Sequence, residues 1–405
     1  MLVKNAMKVS GIAIIACAFV FSSCRKEDLA KQPPQQQKQS ESSLKEMILE
    51  NGANPDEIAS ASTEKNRGEG YVYTESNDAW QNSIVIYKQH SNGELSWYKS
   101  VASGGPGAGA SLGSQGALVI DENHQWLFAV NAGDNTVSSF WVHSNGNLTL
   151  KHTVSSGGMM PVSVTVHDHL LYVVNAGSSN ICGFWIGTDG TLEKIKHSKR
   201  SLSASNAGPA QIMFHPDGKV LYVTEKNTNK IAVFMVDNNG AAGTGNFTNS
   251  VGATPFGFDI AQHKYLVVSN ASGGVAGAGS CTSYATDQWG NINSLFGAVP
   301  DFQTAPCWVA TAKWGRFAYT TNAGSNTISS YYVSPFGAIF LIFFTITPTD
   351  ASPIDIKVSG NNHFVYNINS GSHTITEYRR GLFGTLNSIG HITGIPEHAS
   401  GLAVY

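Results

Sequence analysis

Between Gly70 and Tyr405 one pattern recurs seven times: a short apolar run, an Asn- or Gly-rich turn, a second run and a glycine turn. The clearest copies surround Asn131-Ala132-Gly133, Asn175-Ala176-Gly177 and Asn322-Ala323-Gly324, and weaker ones begin at Tyr71, Leu221, Tyr265 and Phe364. The equivalent positions Ser76, Asn131, Asn175, Glu225, Asn270, Asn322 and Asn369 are 55, 44, 50, 45, 52 and 47 residues apart. A repeat of this length with several strands per unit reads as a β-propeller, because one such unit cannot bury its own faces and must stack on neighbours. The sequence therefore predicts an all-β chain, a seven-bladed β-propeller with four-stranded blades. In one copy the strands fall at Val162 to Val166, Leu170 to Asn175, Ile181 to Ile186 and Leu192 to His197, and Asn145-Gly146 and Asp189-Gly190 are among the dipeptides that supply the positive φ of tight hairpins. The repeat starts in mid-unit at Gly70 and ends on Gly401 to Tyr405, an inner strand with no successor. Closure of the ring is expected through this C-terminal strand joining the N-terminal blade.

What precedes the repeat is of another kind. Lys4 and Lys8 lead an apolar run from Gly11 to Phe21, too short to span a bilayer, and Phe21-Ser22-Ser23-Cys24 resembles a bacterial lipobox. Residues 1–23 are read as a lipoprotein signal peptide and Cys24 as the lipidation site, with a plain cleavable leader as the alternative. Lys26-Glu27-Asp28 resembles the tag of some surface lipoproteins, so the expected location is the outer membrane, on either face. Residues 24–68 are polar, with Gln32-Pro33-Pro34-Gln35, and read as a flexible tether before a propeller at 69–405. The repeat region carries Cys182, Cys281 and Cys307, enough for one disulfide at most, and no cysteine pair has zinc-ligand spacing. With 25 Lys and Arg against 28 Asp and Glu, the chain also lacks the basic excess of a nucleic-acid binder.

In this strand order the segment entering each inner strand and the turn after the second strand lie on one rim, the leading rim. The entering segments align on Gln115-Gly116-Ala117, Pro161-Val162-Ser163, Pro209-Ala210-Gln211, Pro255-Phe256-Gly257, Pro306-Cys307-Trp308, Pro353-Ile354-Asp355 and Ala399-Ser400-Gly401. Their third residues should meet at the channel mouth, which suits a small polar ligand with a flat face. Ser163, Gln211 and Trp308 are candidate ligand contacts, together with Asn131, Asn175 and Asn322, whose simpler role is to hold turns. Glu225 and Asp355 are the candidate catalytic carboxylates and Lys226 a candidate cationic partner. Cys307 reads as a buried apolar residue. The glycine-rich loop from Ser103 to Gln115 opens on the same rim, lacks the Lys-Ser/Thr of a phosphate-binding loop, and reads as a slack connector.

The seven copies, with Gly208-Pro209-Ala210-Gln211, Phe214-His215-Pro216-Asp217-Gly218 and Thr254-Pro255-Phe256-Gly257-Phe258, resemble the seven-bladed lactonase family, which includes 6-phosphogluconolactonases and carboxymuconate lactonizing enzymes. The resemblance implies the same fold and a carboxylic ester hydrolase acting on a lactone, with no cofactor. Two departures stand out. The family's Arg-His after Pro209 is here Ala210-Gln211, and the Asn-Glu after the next strand is Glu225-Lys226. A hydrolase must deprotonate water and stabilise an oxyanion, and Gln211 cannot act as a base. Arg200, Arg316, Arg379 and Arg380 all fall outside the aligned triplets, so a phosphorylated substrate is not expected. Three readings follow: hydrolysis of a small unphosphorylated lactone with Glu225 or Asp355 as base, a non-catalytic surface propeller binding a glycan or protein, and a propeller organised by a divalent cation such as Ca²⁺ in its channel. In each the protein is expected to be a monomer held to a membrane by its lipid.

Overall fold

The structure, a computed structural model, describes residues 69–342 and 345–405 together with Ser42, Ser43, Lys45, Glu46, Ile48 and Leu49. The leader, the Cys24 lipidation site and most of the stretch read as a tether lie outside the described residues. The compact unit runs from Ser43 to Tyr405. Ile48 is buried among propeller side chains and Lys45 Nζ lies 5.5 Å from the centre of the Phe383 ring, so this part of the polar stretch is docked on the ring.

Seven antiparallel sheets follow one another along the chain. Blade 2 is built from Leu118–Ile120, Trp126–Asn131, Thr136–Val142 and Leu148–Ser155. Blades 3 to 7 start with inner strands Pro161–His167, Pro209–Phe214, Pro255–Ala261, Pro306–Thr311 and Pro353–Val358. Proline suits the first position of a strand, where no ladder N–H is required. In each of blades 3 to 7 the pairing with the second strand shifts just after this proline. Such a bulge re-aims the residues that follow it.

Blade 1 takes Gly70–Glu75, Ser83–Gln89 and Leu95–Ala102 from the start of the repeat and its innermost strand, Ser400–Val404, from the end. Val72 faces Val404, Tyr73 faces Ala403, and Tyr405 N donates to Tyr71 O at 2.8 Å. The ring is therefore closed as the repeat pattern predicts.

The seams between blades repeat one device. A buried tyrosine of the second strand donates its hydroxyl to the turn glycine of the next blade: Tyr73 to Gly146 O at 3.1 Å, Tyr172 to Gly240 O at 2.7 Å and Tyr366 to Gly93 O at 2.9 Å. Each such bond contributes about 1 kcal/mol net, and burial of the ring contributes about as much again or more. Gly146 is needed twice over: its φ is +72°, and a Cβ there would overlap the Tyr71 ring of the preceding blade. Turn geometry and seam packing therefore select the same residue.

Removing Gly401 to Tyr405 should strip blade 1 of its inner strand and expose the Gly70–Glu75 edge. The expected outcome is a clearly lower melting temperature with aggregation, measured by thermal denaturation; a truncated protein that melts like the intact one would contradict closure by this strand.

Candidate functional site

The leading rim brings Ser163, Gln211, Trp308 and Asp355 to the channel, but it does not leave the mouth open. Ser163, Gln211 and Asp355 each commit an oxygen to the ring itself. Ser163 Oγ accepts from Ile212 N at 3.2 Å, Gln211 Oε1 from Phe258 N at 2.7 Å, and Asp355 Oδ2 from Gly401 N at 3.1 Å. In each case a side chain of one inner strand holds the backbone of the next blade.

Across the centre lies the end of the glycine-rich loop. Gln115 Nε2 donates to Val309 O at 2.6 Å and its Oε1 accepts from Val309 N at 2.9 Å, linking the approach to blade 2 with blade 6. The loop is fixed further by Gln115 N to Ala210 O at 2.9 Å, Val164 N to Gly116 O at 2.8 Å and Ser114 Oγ to Val162 O at 2.8 Å. Gly257 makes room for this crossing, since a Cβ there would overlap Gln115 Oε1. The expected slack connector is thus a buried plug: Ser114 and Gln115 are each 2% exposed. Its partners lie up to 194 residues away, which no local pattern around Gln115 reveals.

Trp308 belongs to the same plug. Its Nε1 donates to Ser114 O at 2.8 Å and its ring packs on Phe256, centroids 4.9 Å apart at 56°. Lys226 Nζ donates to Gly113 O and sits 4.9 Å over the Phe256 ring, and burial lowers its pKa. Cys307 is buried alongside, and burial pushes its thiol up to about 12, which leaves negligible thiolate at neutral pH. Cys182 and Cys281 are buried and free, so no disulfide links the repeat region.

Glu225 is completely buried and turned into its own blade, where it accepts from Ser203 N at 3.0 Å, from Thr228 Oγ1 at 2.5 Å and from Ser203 Oγ. The asparagines at the equivalent position act as clasps for the hairpin that follows. Asn131 Nδ2 donates to Thr136 Oγ1 at 3.0 Å and Ser138 Oγ at 2.9 Å; Asn322 does the same to Thr327 and Ser329 at 3.0 and 2.9 Å. Asn175 has no hydroxyl at these offsets and donates instead to Ser156 O at 3.3 Å.

Among the described residues three buried acid groups fall outside the sequence candidates: Asp301, Glu377 and, at the closure of the ring, Glu75. Glu75, one position before the aligned Ser76, accepts from Asn82 Nδ2 and Ser400 Oγ, both at 3.2 Å, and burial, with a further contribution from Asp355, raises its pKa well above the usual carboxylate range. Its signal is a Glu closing the otherwise apolar and aromatic run Tyr71-Val72-Tyr73-Thr74. Asp355 is raised to about 7, first by burial, with the Gly401 N–H and the Lys357 charge acting the other way. No three His, Cys, Asp or Glu side chains among the described residues converge where they could hold a metal ion.

A sequence profile described as Lactonase, 7-bladed beta-propeller matches residues 69–205 and 188–278. The chain belongs to this family. A candidate 6-phosphogluconolactonase from Bacteroides uniformis shares the fold at a TM-score of 0.69 and 20% identity, over 83% of this chain and 99% of that one. The periplasmic gluconolactonase of Pseudomonas aeruginosa superposes at 0.66 with 16% identity, over 83% and 99%. A protein from Lactobacillus plantarum gives 0.69 and 17%, over 84% and 100%. At these identities the likeness is one of fold. No curated protein matches the sequence. Within this lactonase family, the loop ending at Gln115 is what gives the leading rim of this member its closed form.

Two outcomes are expected. Trp308→Ala should remove a core ring and a plug hydrogen bond and cost about 3 to 5 kcal/mol of stability by denaturant titration; an unchanged midpoint would remove Trp308 from the plug. Asp355 holds a proton in the folded state that the unfolded chain gives up from about pH 4, so its contribution to stability is present at low pH and is lost as pH rises to about 7. The melting temperature of Asp355→Asn relative to wild type should therefore climb between those limits and level off above them. A difference constant with pH would contradict the raised value.

Proposed function

We propose that this chain is a ligand-binding propeller of the lactonase family in which the leading rim carries out no lactone hydrolysis. The Gln115 crossing carries this reading, because it occupies the space between the inner strands where a substrate would have to reach the channel residues. Supporting it, Glu225 spends its carboxylate on Ser203 and Thr228, Asp355 holds Gly401, and Lys226 holds the plug carbonyl of Gly113. A water-activating base and an oxyanion donor both have to face the reacting atoms. Gln211 in place of the family His removes a further base.

A second reading keeps a hydrolase acting on a small unphosphorylated lactone. It is favoured by Asp355, whose value of about 7 suits a general base at neutral pH. A panel of unphosphorylated lactones offered to the purified protein, with and without chelator, separates the two. The expected result is no turnover above buffer in either condition. Turnover that falls about a hundredfold to ten-thousandfold in Asp355→Asn would replace the binding reading with the hydrolase.

We further propose that Cys24 is lipidated and holds the monomer at the outer membrane, as the lipobox-like sequence implies. Several acyl chains anchor firmly where one alone is marginal. Cys24→Ala should leave the membrane fraction on cell fractionation, and retention there would exclude the lipid anchor.

A further inference from the structure

The channel is open at its other end. Where the inner strands finish, on the trailing rim, lies a cavity of about 310 Å³ lined by six of the seven inner strands, including the one formed by Ser400–Val404. None of the sequence candidates lines it. Its size is at the lower end for a small-molecule site.

Besides exposed Glu122 and His263, the polar groups of this cavity divide sharply. Asp259 is committed to the ring: Oδ2 accepts from Thr311 N at 2.8 Å and Thr311 Oγ1 at 3.0 Å, and Oδ1 accepts from Ile260 N at 2.8 Å. Thr165 Oγ1 likewise accepts from Phe214 N at 3.0 Å, but its hydroxyl proton is unspent. His215 uses Nδ1 on Asp217 at 2.9 Å, and His167 has Nε2 3.5 Å from Asp168, so each retains a second ring nitrogen. Lys357 is different. It is half-buried and makes no hydrogen bond or ion pair with any described residue. Its charge is felt by Asp355, two residues back on the same strand, whose carboxylate is already held by Gly401.

A lysine at a cavity wall with no hydrogen-bonding partner can give its ammonium protons to a bound anion as charge-assisted hydrogen bonds. Around it, the unspent Thr165 proton and imidazole nitrogens suit hydroxyl groups, and Ile120, Phe214 and Leu402 give an apolar wall for the C–H face of a ring. We propose that the trailing-rim cavity is a binding site for a small hydroxylated carboxylate of monosaccharide size, with Lys357 holding the carboxylate. The site is separate from the leading rim, and it stands whether or not that rim hydrolyses lactones.

Glucuronate is the probe, with glucose as its uncharged counterpart and inorganic phosphate as an anion without a sugar ring, each titrated calorimetrically into the full mature chain. Glucuronate should bind wild type, and glucose and phosphate should bind at least about tenfold more weakly. Lys357→Gln should weaken glucuronate by about tenfold to a hundredfold, while exposed Lys151→Gln leaves it unchanged. Should Lys357→Gln fail to fold, an amine-reactive label on wild type gives the same answer: glucuronate should slow modification of Lys357 and leave Lys151 unaffected. The proposal is overturned if wild type binds no glucuronate, if phosphate binds as well, or if neither Lys357→Gln nor labelling of Lys357 responds. Each of these results is independent of the lactone assay, so failure here and failure of the binding reading are distinguishable.

Discussion

The pairing of Ser400–Val404 with Gly70–Glu75 joins the two ends of the repeat region in a single sheet, and the ring depends on it. Without that sheet, six complete blades would be flanked by an open edge whose N–H and C=O groups invite pairing with other chains. Two of the buried acid groups meet at this closure. Glu75 takes the Ser400 hydroxyl and Asp355 takes the Gly401 amide, so two residues at the start of the last strand are held by two carboxyl groups. Burial favours the protonated form of both.

Closing a ring of seven sheets creates a second demand, which is to fill the centre. The inner strands meet it partly by reaching sideways, as Ser163, Gln211 and Asp259 do toward the next blade. The rest is met by Gln115, whose primary amide satisfies both the N–H and the C=O of Val309 in one step. Glutamine suits this role because it offers a donor and an acceptor on one planar group and carries no charge to desolvate. The leading rim is thereby filled, and the cavity lies at the opposite end of the channel.

Blade number, strand order and closure were legible in the sequence because they rest on local periodicities: the spacing of the Asn positions, the glycine turns, and an orphan strand at the end. The site was less legible. Asn131, Asn322 and Glu225 are recognisable as equivalent, yet whether such a side chain faces a ligand or its own hairpin depends on hydroxyls five and seven residues on, which Asn131 and Asn322 have and Asn175 lacks. The plug was invisible for a different reason. Flexible-looking glycines at Gly113 and Gly116 in fact adopt positive φ values that steer the chain into the channel, toward partners far away in sequence. Lys357 looks in sequence like any alternating strand residue, and only the five other inner strands that line the cavity show that it faces one.

The tyrosine seams at Gly146 and Gly240 join successive blades, but the pairing that completes blade 1 is made between strangers. Ser400 and Glu75 are 325 residues apart, and one is synthesised near the start of the propeller and the other at its finish. Blades 2 to 7 can each be assembled as they appear, whereas blade 1 must wait as three strands with a bare flank until the final residues arrive. The protein is thus obliged to carry an unfinished sheet through nearly all of its own synthesis, and a helper that shields the Gly70–Glu75 edge during that interval would matter more to its yield than one acting on any other blade.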